Sequence, residues 1–161
     1  SGLGWPARRQ EGGKVSHNNK SGERGTAFES RVVRFMSVAL DDERIERRAK
    51  HGSKDMGDLY RIYAHGFEGI AECKNYAIIS PKQLDEFKRQ TVTERDNADA
   101  DFGLLVINRK GYRTGASLVY VTLRDLSRIT PLVDVCAYDG EADEKWVCMT
   151  LDECCLLMIG E

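Results

Sequence analysis

Two carboxylates and an ammonium fall within one short stretch, residues 57–74, GDLYRIYAHGFEGIAECK, with the pattern Asp58-x13-Glu72-Cys73-Lys74. Leu59, Ile62 and Tyr63, and then Ile70 and Ala71 with polar residues between them, predict two short strands joined at His65-Gly66. A three-residue turn over 64–66 sets Asp58 opposite Glu72, and a two-residue turn shifts the pairing by one. Either way both carboxylates lie at the same end of the hairpin, where paired Cα atoms are about 4.5–5.5 Å apart. Glu72 and Lys74 share a face and Cys73 points away. Two bare carboxylates ~4 Å apart repel by ~4 kcal/mol at an effective dielectric of about 20. Such a pair takes up a proton or holds a hard cation. Carboxylate oxygens, a backbone carbonyl and waters suit Mg²⁺. Lys74 is then placed to hold a nucleophilic water and offset charge on a phosphate.

This pattern resembles the PD-(D/E)XK nuclease superfamily. The flanking text, GSKDMGDLY before the hairpin and AECKNY at its end, is similar to the Holliday junction resolvases and the resolvase-like nucleases of phages. The resemblance covers about residues 20–112. It implies the restriction-endonuclease-like αβββαβ fold, an α/β core with a mixed central sheet flanked by helices. It also implies a Mg²⁺-dependent DNA endonuclease, with Mn²⁺ substituting, that cuts branched DNA as a homodimer. Asp58 and Glu72 would bind the metal with the Cys73 backbone carbonyl, and Lys74 would orient the water. The text around Glu29, KSGERGTAFE, resembles the first resolvase motif, in which a helix Glu reaches the metal. Gln90, on the helix after the hairpin, would position Lys74 or the phosphate, with Gln83 as the runner-up. Asp55 is a competing carboxylate; Asp58 is preferred because it stands at the strand start and GDL matches the family. Two alternatives stand beside this reading: the same chemistry on single-stranded, flap or duplex DNA, and a non-catalytic DNA-binding module.

Several elements must position these groups. Phe28, Val32, Phe35 and Ala39 recur on one helical face and predict a helix over 26–40. Thr26 and Glu29 fit a capping box there, a second role open to Glu29. Residues 43–50 read as a charged first strand. Arg24, Arg44, Arg47, Arg48, Lys50, Lys54, Arg109 and Lys110 are the expected DNA contacts. Ser80-Pro81 with Gln83 opens a helix reaching about Ala98, with Leu84, Phe87, Thr91 and Ala98 inward. Residues 102–107 are a continuous apolar run, a strand buried on both faces, ending in the basic turn 108–111. Residues 118–121 and 146–149 each read as a strand followed by a capped helix, at Thr122/Asp125 and Thr150/Glu153. Either could be the last core strand. Cys136, Cys148, Cys154 and Cys155 lack metal-ligand spacing and read as buried thiols.

The 161 residues suffice for one domain with a sizeable core. The net charge of −2 hides a division: residues 1–130 hold 23 Lys+Arg against 18 Asp+Glu, and residues 131–161 hold one Lys against eight acids. The mildly basic part suits a phosphate ligand. We expect a disordered basic arm over 1–24, a nuclease core over 25–130, and an acidic extension over 131–161 packed on the core or at a dimer interface. No apolar run is long enough for a bilayer and no signal-peptide pattern opens the chain. Five cysteines, an odd number, fit reduced thiols, so the expected compartment is the cytoplasm of a bacterium or phage-infected host.

Overall fold

The computed structural model describes residues 17–50, 52–132 and 141–160. Its elements are α1 (His17–Leu40), β1 (Glu46–Arg47), β2 (Leu59–Ala64), β3 (Phe67–Lys74), α2 (Pro81–Asn97), β4 (Phe102–Ile107), β5 (Leu118–Thr122), α3 (Leu123–Ile129), β6 (Trp146–Thr150) and α4 (Leu151–Ile159), with a 3₁₀ turn at Thr114–Ala116 before β5. One open, mixed sheet of six strands runs in the order β1-β2-β3-β4-β5-β6. Only β3 and β4 pair in parallel, joined through α2; every other neighbouring pair is antiparallel. This is an α/β architecture. Among the described residues, no helix is long and apolar enough to cross a membrane.

Alternation along the strands assigns the two sheet faces. Phe102, Leu104 and Val106 of β4 and Ala71 of β3 join Phe28, Val32 and Met36 of α1, Leu126 and Ile129 of α3, and Leu151, Cys154 and Met158 of α4 in the main core. The intervening residues face α2. A Cβ on Gly103 would meet Arg95 and Thr91 at 3.2 and 3.4 Å, and the Lys74 ammonium lies 4.7 Å from the Phe87 ring centre. All six residues of β4 are buried, as its unbroken apolar run requires.

Three helix starts follow the capping chemistry in the sequence. Ser80 and Gln83 form a reciprocal capping box, and Thr122 and Thr150 accept from the N–H groups of Asp125 and Glu153. The fourth differs. Helix α1 begins at His17 rather than Thr26, and the Thr26 carbonyl accepts the Ser30 hydroxyl at 3.0 Å inside the helix. The added turns include Gly22 and Gly25, although glycine disfavours helix locally. The Thr26–Glu29 capping box therefore does not form. The basic arm expected over 1–24 is helical from His17 onward, and residues 1–16 lie outside the described residues.

Other boundaries move as well. The strand expected over 43–50 shrinks to Glu46–Arg47. Both late strands belong to the sheet: β5 pairs with β4, and β6 pairs with β5 at the edge. The buried face of α2 is Thr91, Glu94 and Arg95, more polar than the expected Leu84–Phe87–Thr91–Ala98 stripe. Arg95 makes that possible. Its guanidinium donates to Asp125 at 3.0 Å, to Asp143 at 2.7 Å and to Asp96 at 3.0 Å. Asp125 also accepts the Gly103 N–H at 3.0 Å, so this network ties α2 to β4, α3 and the segment before β6. Cys154 and Cys155 are buried thiols and Cys148 is exposed; Cys136 lies outside the described residues.

Candidate active site

The β2–β3 hairpin is closed by two residues, His65 and Gly66, both at positive φ (49° and 84°), as the tight hairpin turn that matches strand twist demands. That turn alone would pair Asp58 with Cys73. A bulge between Leu59 and Ile62, with Arg61 at φ 57°, inserts one residue and restores the other register, Leu59 opposite Ala71. Bulges bend a strand and re-aim its side chains. Here the bulge brings Asp58 level with Glu72.

Asp58 is held on all sides. Its N–H donates to the Ala71 carbonyl at 3.0 Å, and its carbonyl accepts the Arg48 N–H at 2.7 Å. One carboxylate oxygen accepts the Cys73 N–H at 2.9 Å. Gly57, at φ +88°, permits this approach, since a Cβ there would lie 3.1 Å from the Ile70 side chain and 3.3 Å from the Ala71 carbonyl. Burial, then the charge of Glu72, push the Asp58 carboxyl up to about 7, against the Cys73 hydrogen bond.

Glu72 is buried, and its Oε1 lies 2.8 Å from Lys74 Nζ. Its Oε2 is buried without a hydrogen-bond partner among the described residues, and so are both carboxylate oxygens of Glu94, a residue only 1% exposed. One ligand atom each of Asp55, Glu72 and Glu94 lies within 4.8 Å of the other two. Burial, then the neighbouring Glu72 and Asp55, push the Glu94 carboxyl up to about 10, while the Gln90 amide acts the other way. Gln90 thus stands beside Glu94. Burial alone would lower the Lys74 pKa, but Glu72 and Asp58 outweigh it and hold the ammonium above its ordinary value. The Cys73 thiol packs on the main core and is pushed up by burial, then by Asp58 and Glu72.

A buried carboxylate oxygen without a partner costs free energy that a proton or a cation removes. Three such oxygens converge here beside the half-fixed carboxylate of Asp55, whose Oδ1 accepts the Gly57 N–H at 3.2 Å. Oxygen-only donors in this number suit a hard divalent cation such as Mg²⁺.

The sequence-predicted residues divide by location. Asp58, Glu72, Lys74 and Gln90 come together. Glu29 instead sits on α1, the helix of the opposite sheet face, and pairs with Arg47 at 3.0 Å, although it is near enough to act on Asp58. Asp55, the competing carboxylate, joins the cluster. Glu94 was missed, yet it lies three residues after Thr91 and four before Ala98, in phase with the inward stripe of its helix. A charged residue at a buried phase was the sign.

Of the expected DNA contacts, Arg48, Lys50 and Lys54 line a recess of about 220 Å³ that runs to Asp55 and Gly57. Arg24 and Lys110 are exposed. Arg44 is engaged twice by Asp42, at 2.9 and 2.7 Å, and Arg109 lies on the Tyr112 ring at 3.9 Å from its centre. Comparison with protein-family models, with curated proteins and with solved structures gives no match.

Proposed function

We propose that the chain is a metal-dependent DNA endonuclease of the PD-(D/E)XK type, acting on branched DNA as a homodimer. One observation carries this reading: Lys74 Nζ is 2.8 Å from Glu72 Oε1, at a hairpin end where Asp58, Asp55 and Glu94 crowd the same carboxylate, and where its own Oε2 and both Glu94 oxygens lack partners among the described residues. The order α1-β1-β2-β3-α2-β4, with β3 and β4 parallel around α2, is the order expected of the restriction-endonuclease-like core and supports assigning the fold there.

Glu72 is the shared ligand in this reading, with Asp55 and Glu94 on the α2 side and Asp58, with the Cys73 carbonyl, at the strand end. A bound Mg²⁺ would supply Lewis acidity and a water of lowered pKa. Lys74, kept charged by the acids around it, holds the attacking water and faces the charge that grows on the phosphate. The Cys73 N–H fixes Asp58 and leaves its second oxygen available. Arg48, Lys50 and Lys54 attract the backbone into the recess leading to Asp55. Gln90 stands beside the Glu94 carboxyl. Glu29 holds Arg47 and stays outside the metal set.

The decisive experiment offers a four-way junction, a flap, a single strand and a linear duplex, each with Mg²⁺ and with excess chelator. Metal-dependent incision of the junction that Glu72→Gln and Lys74→Met abolish supports the reading. Incision that persists in chelator, or that survives both substitutions, rejects it.

A further inference from the structure

The loops that leave the carboxyl ends of β3 and β4 are tied side by side. The Asn108 N–H donates to the Lys74 carbonyl at 2.9 Å, and the Asn108 amide donates to Asn75 Oδ1 at 2.8 Å. The Asn75 amide in turn donates to the Arg24 carbonyl of α1 at 3.3 Å. These two loops hold three large side chains in solvent: Tyr76 is 49% exposed, Tyr112 59% and Ile78 86%. Exposed rings beside a charged site offer faces on which a ligand can stack.

The distances point to what that occupant is. The Tyr76 and Phe87 ring centres are 5.5 Å apart, and the same Phe87 ring carries Lys74 Nζ at 4.7 Å. The Tyr76 ring centre is therefore no more than about 10 Å from the ammonium that the proposed mechanism sets against the phosphate. Bases along one strand are spaced about 3.4 Å apart, so a base on Tyr76 belongs to a nucleotide within about three steps of the incision. Tyr112 is backed by the Arg109 guanidinium, and exposed Lys110 and Arg24 border the same edge. Rings interleaved with cations grip single strands, because rings stack on free base faces and cations follow the phosphates. Paired bases in a duplex offer no free face.

We propose that Tyr76, Tyr112 and Arg109 form a stacking platform for unpaired bases next to the incision site, with Ile78 as an apolar wedge against the last base pair. This deepens the nuclease reading and rests on it: the preferred substrate has single-stranded nucleotides at its branch point.

The test measures anisotropy of labelled oligo-dT and of a blunt duplex of equal length, with Ca²⁺ in place of Mg²⁺. Tyr76→Leu and Tyr112→Leu should each weaken oligo-dT binding by about 5- to 140-fold and leave the duplex within about twofold, while Tyr76→Phe and Tyr112→Phe keep the wild-type affinity. Equal losses on both DNAs, or no loss on the single strand, overturn the platform and leave the nuclease reading standing. Failure of the wild-type chain to bind either DNA defeats both.

Discussion

Lys74 Nζ stands 2.8 Å from one oxygen of Glu72, and the other oxygen of the same carboxylate is buried with no hydrogen-bond partner among the described residues. The ammonium thus satisfies one oxygen of a carboxylate that also has Glu94 and Asp55 within reach. Glu72→Gln should abolish Mn²⁺ binding in calorimetry and cut incision by at least about 100-fold. Glu94→Gln should weaken Mn²⁺ by about 10- to 100-fold, the range for groups that support a metal site. Undiminished Mn²⁺ affinity in Glu94→Gln would remove that residue from the site.

The raised carboxyls make a pH prediction for the metal-free chain. Asp58 moves from 3.8 to about 7, and Glu94 from 4.5 to about 10. Between the unfolded and folded values the native chain holds protons that the unfolded chain releases. Stability must therefore fall as pH rises through this window. Urea midpoints should drop from about pH 5 to about pH 9, and added Mg²⁺ should flatten the decline, since the cation replaces those protons. A midpoint that rises across this range would contradict the buried, crowded acids.

Glu29 and Arg47 form a partly exposed ion pair, with side chains 16% and 40% accessible. Pairs of this kind contribute about 0.2–1 kcal/mol. Glu29→Gln should cost no more than that in thermal unfolding and leave Mn²⁺ stoichiometry unchanged. A lost metal equivalent would return Glu29 to the metal set.

Arg95 is 2% exposed and serves three aspartates. Arg95→Met leaves the buried Asp125 carboxylate only the Gly103 N–H at 3.0 Å and the Arg124 guanidinium at 3.4 Å, and removing the main partner of a buried pair costs up to about 3–5 kcal/mol. Denaturant titration should show the loss, and the double variant Arg95→Met with Asp125→Leu should recover part of it. Equal stability of the single variant and wild type would mean the network is idle.

Strand β6 and helix α4 complete the sheet and the core, yet α4 leaves Leu156 68% and Ile159 50% exposed. The proposed homodimer has an apolar surface available there. Leu156→Glu should yield monomers by light scattering and uncouple paired incision of a junction, while single cuts persist. A dimer unaffected by this change must use another face.

Much was legible in the chain itself. Strand β4 is a run of apolar residues, which only a doubly covered strand can use. The starts of α2, α3 and α4 are written as hydroxyl caps with their partners three residues on. Asp58, Glu72 and Lys74 converge because hairpin pairing and period-two alternation are local rules. Where a local pattern stood alone, the sequence misled: the apparent Thr26–Glu29 capping box placed the start of α1 nine residues late and gave Glu29 a capping role it does not have. Tertiary structure decided the rest. The bulge at Arg61 sets the register that aligns Asp58 with Glu72. The choice of sheet face puts α1, and so Glu29, on one side and α2, with Glu94, on the other. Neither was readable from the sequence, because register and face depend on which surfaces remain to be covered once all the elements are assembled. The free energy that settles them comes from burial between residues far apart in the chain.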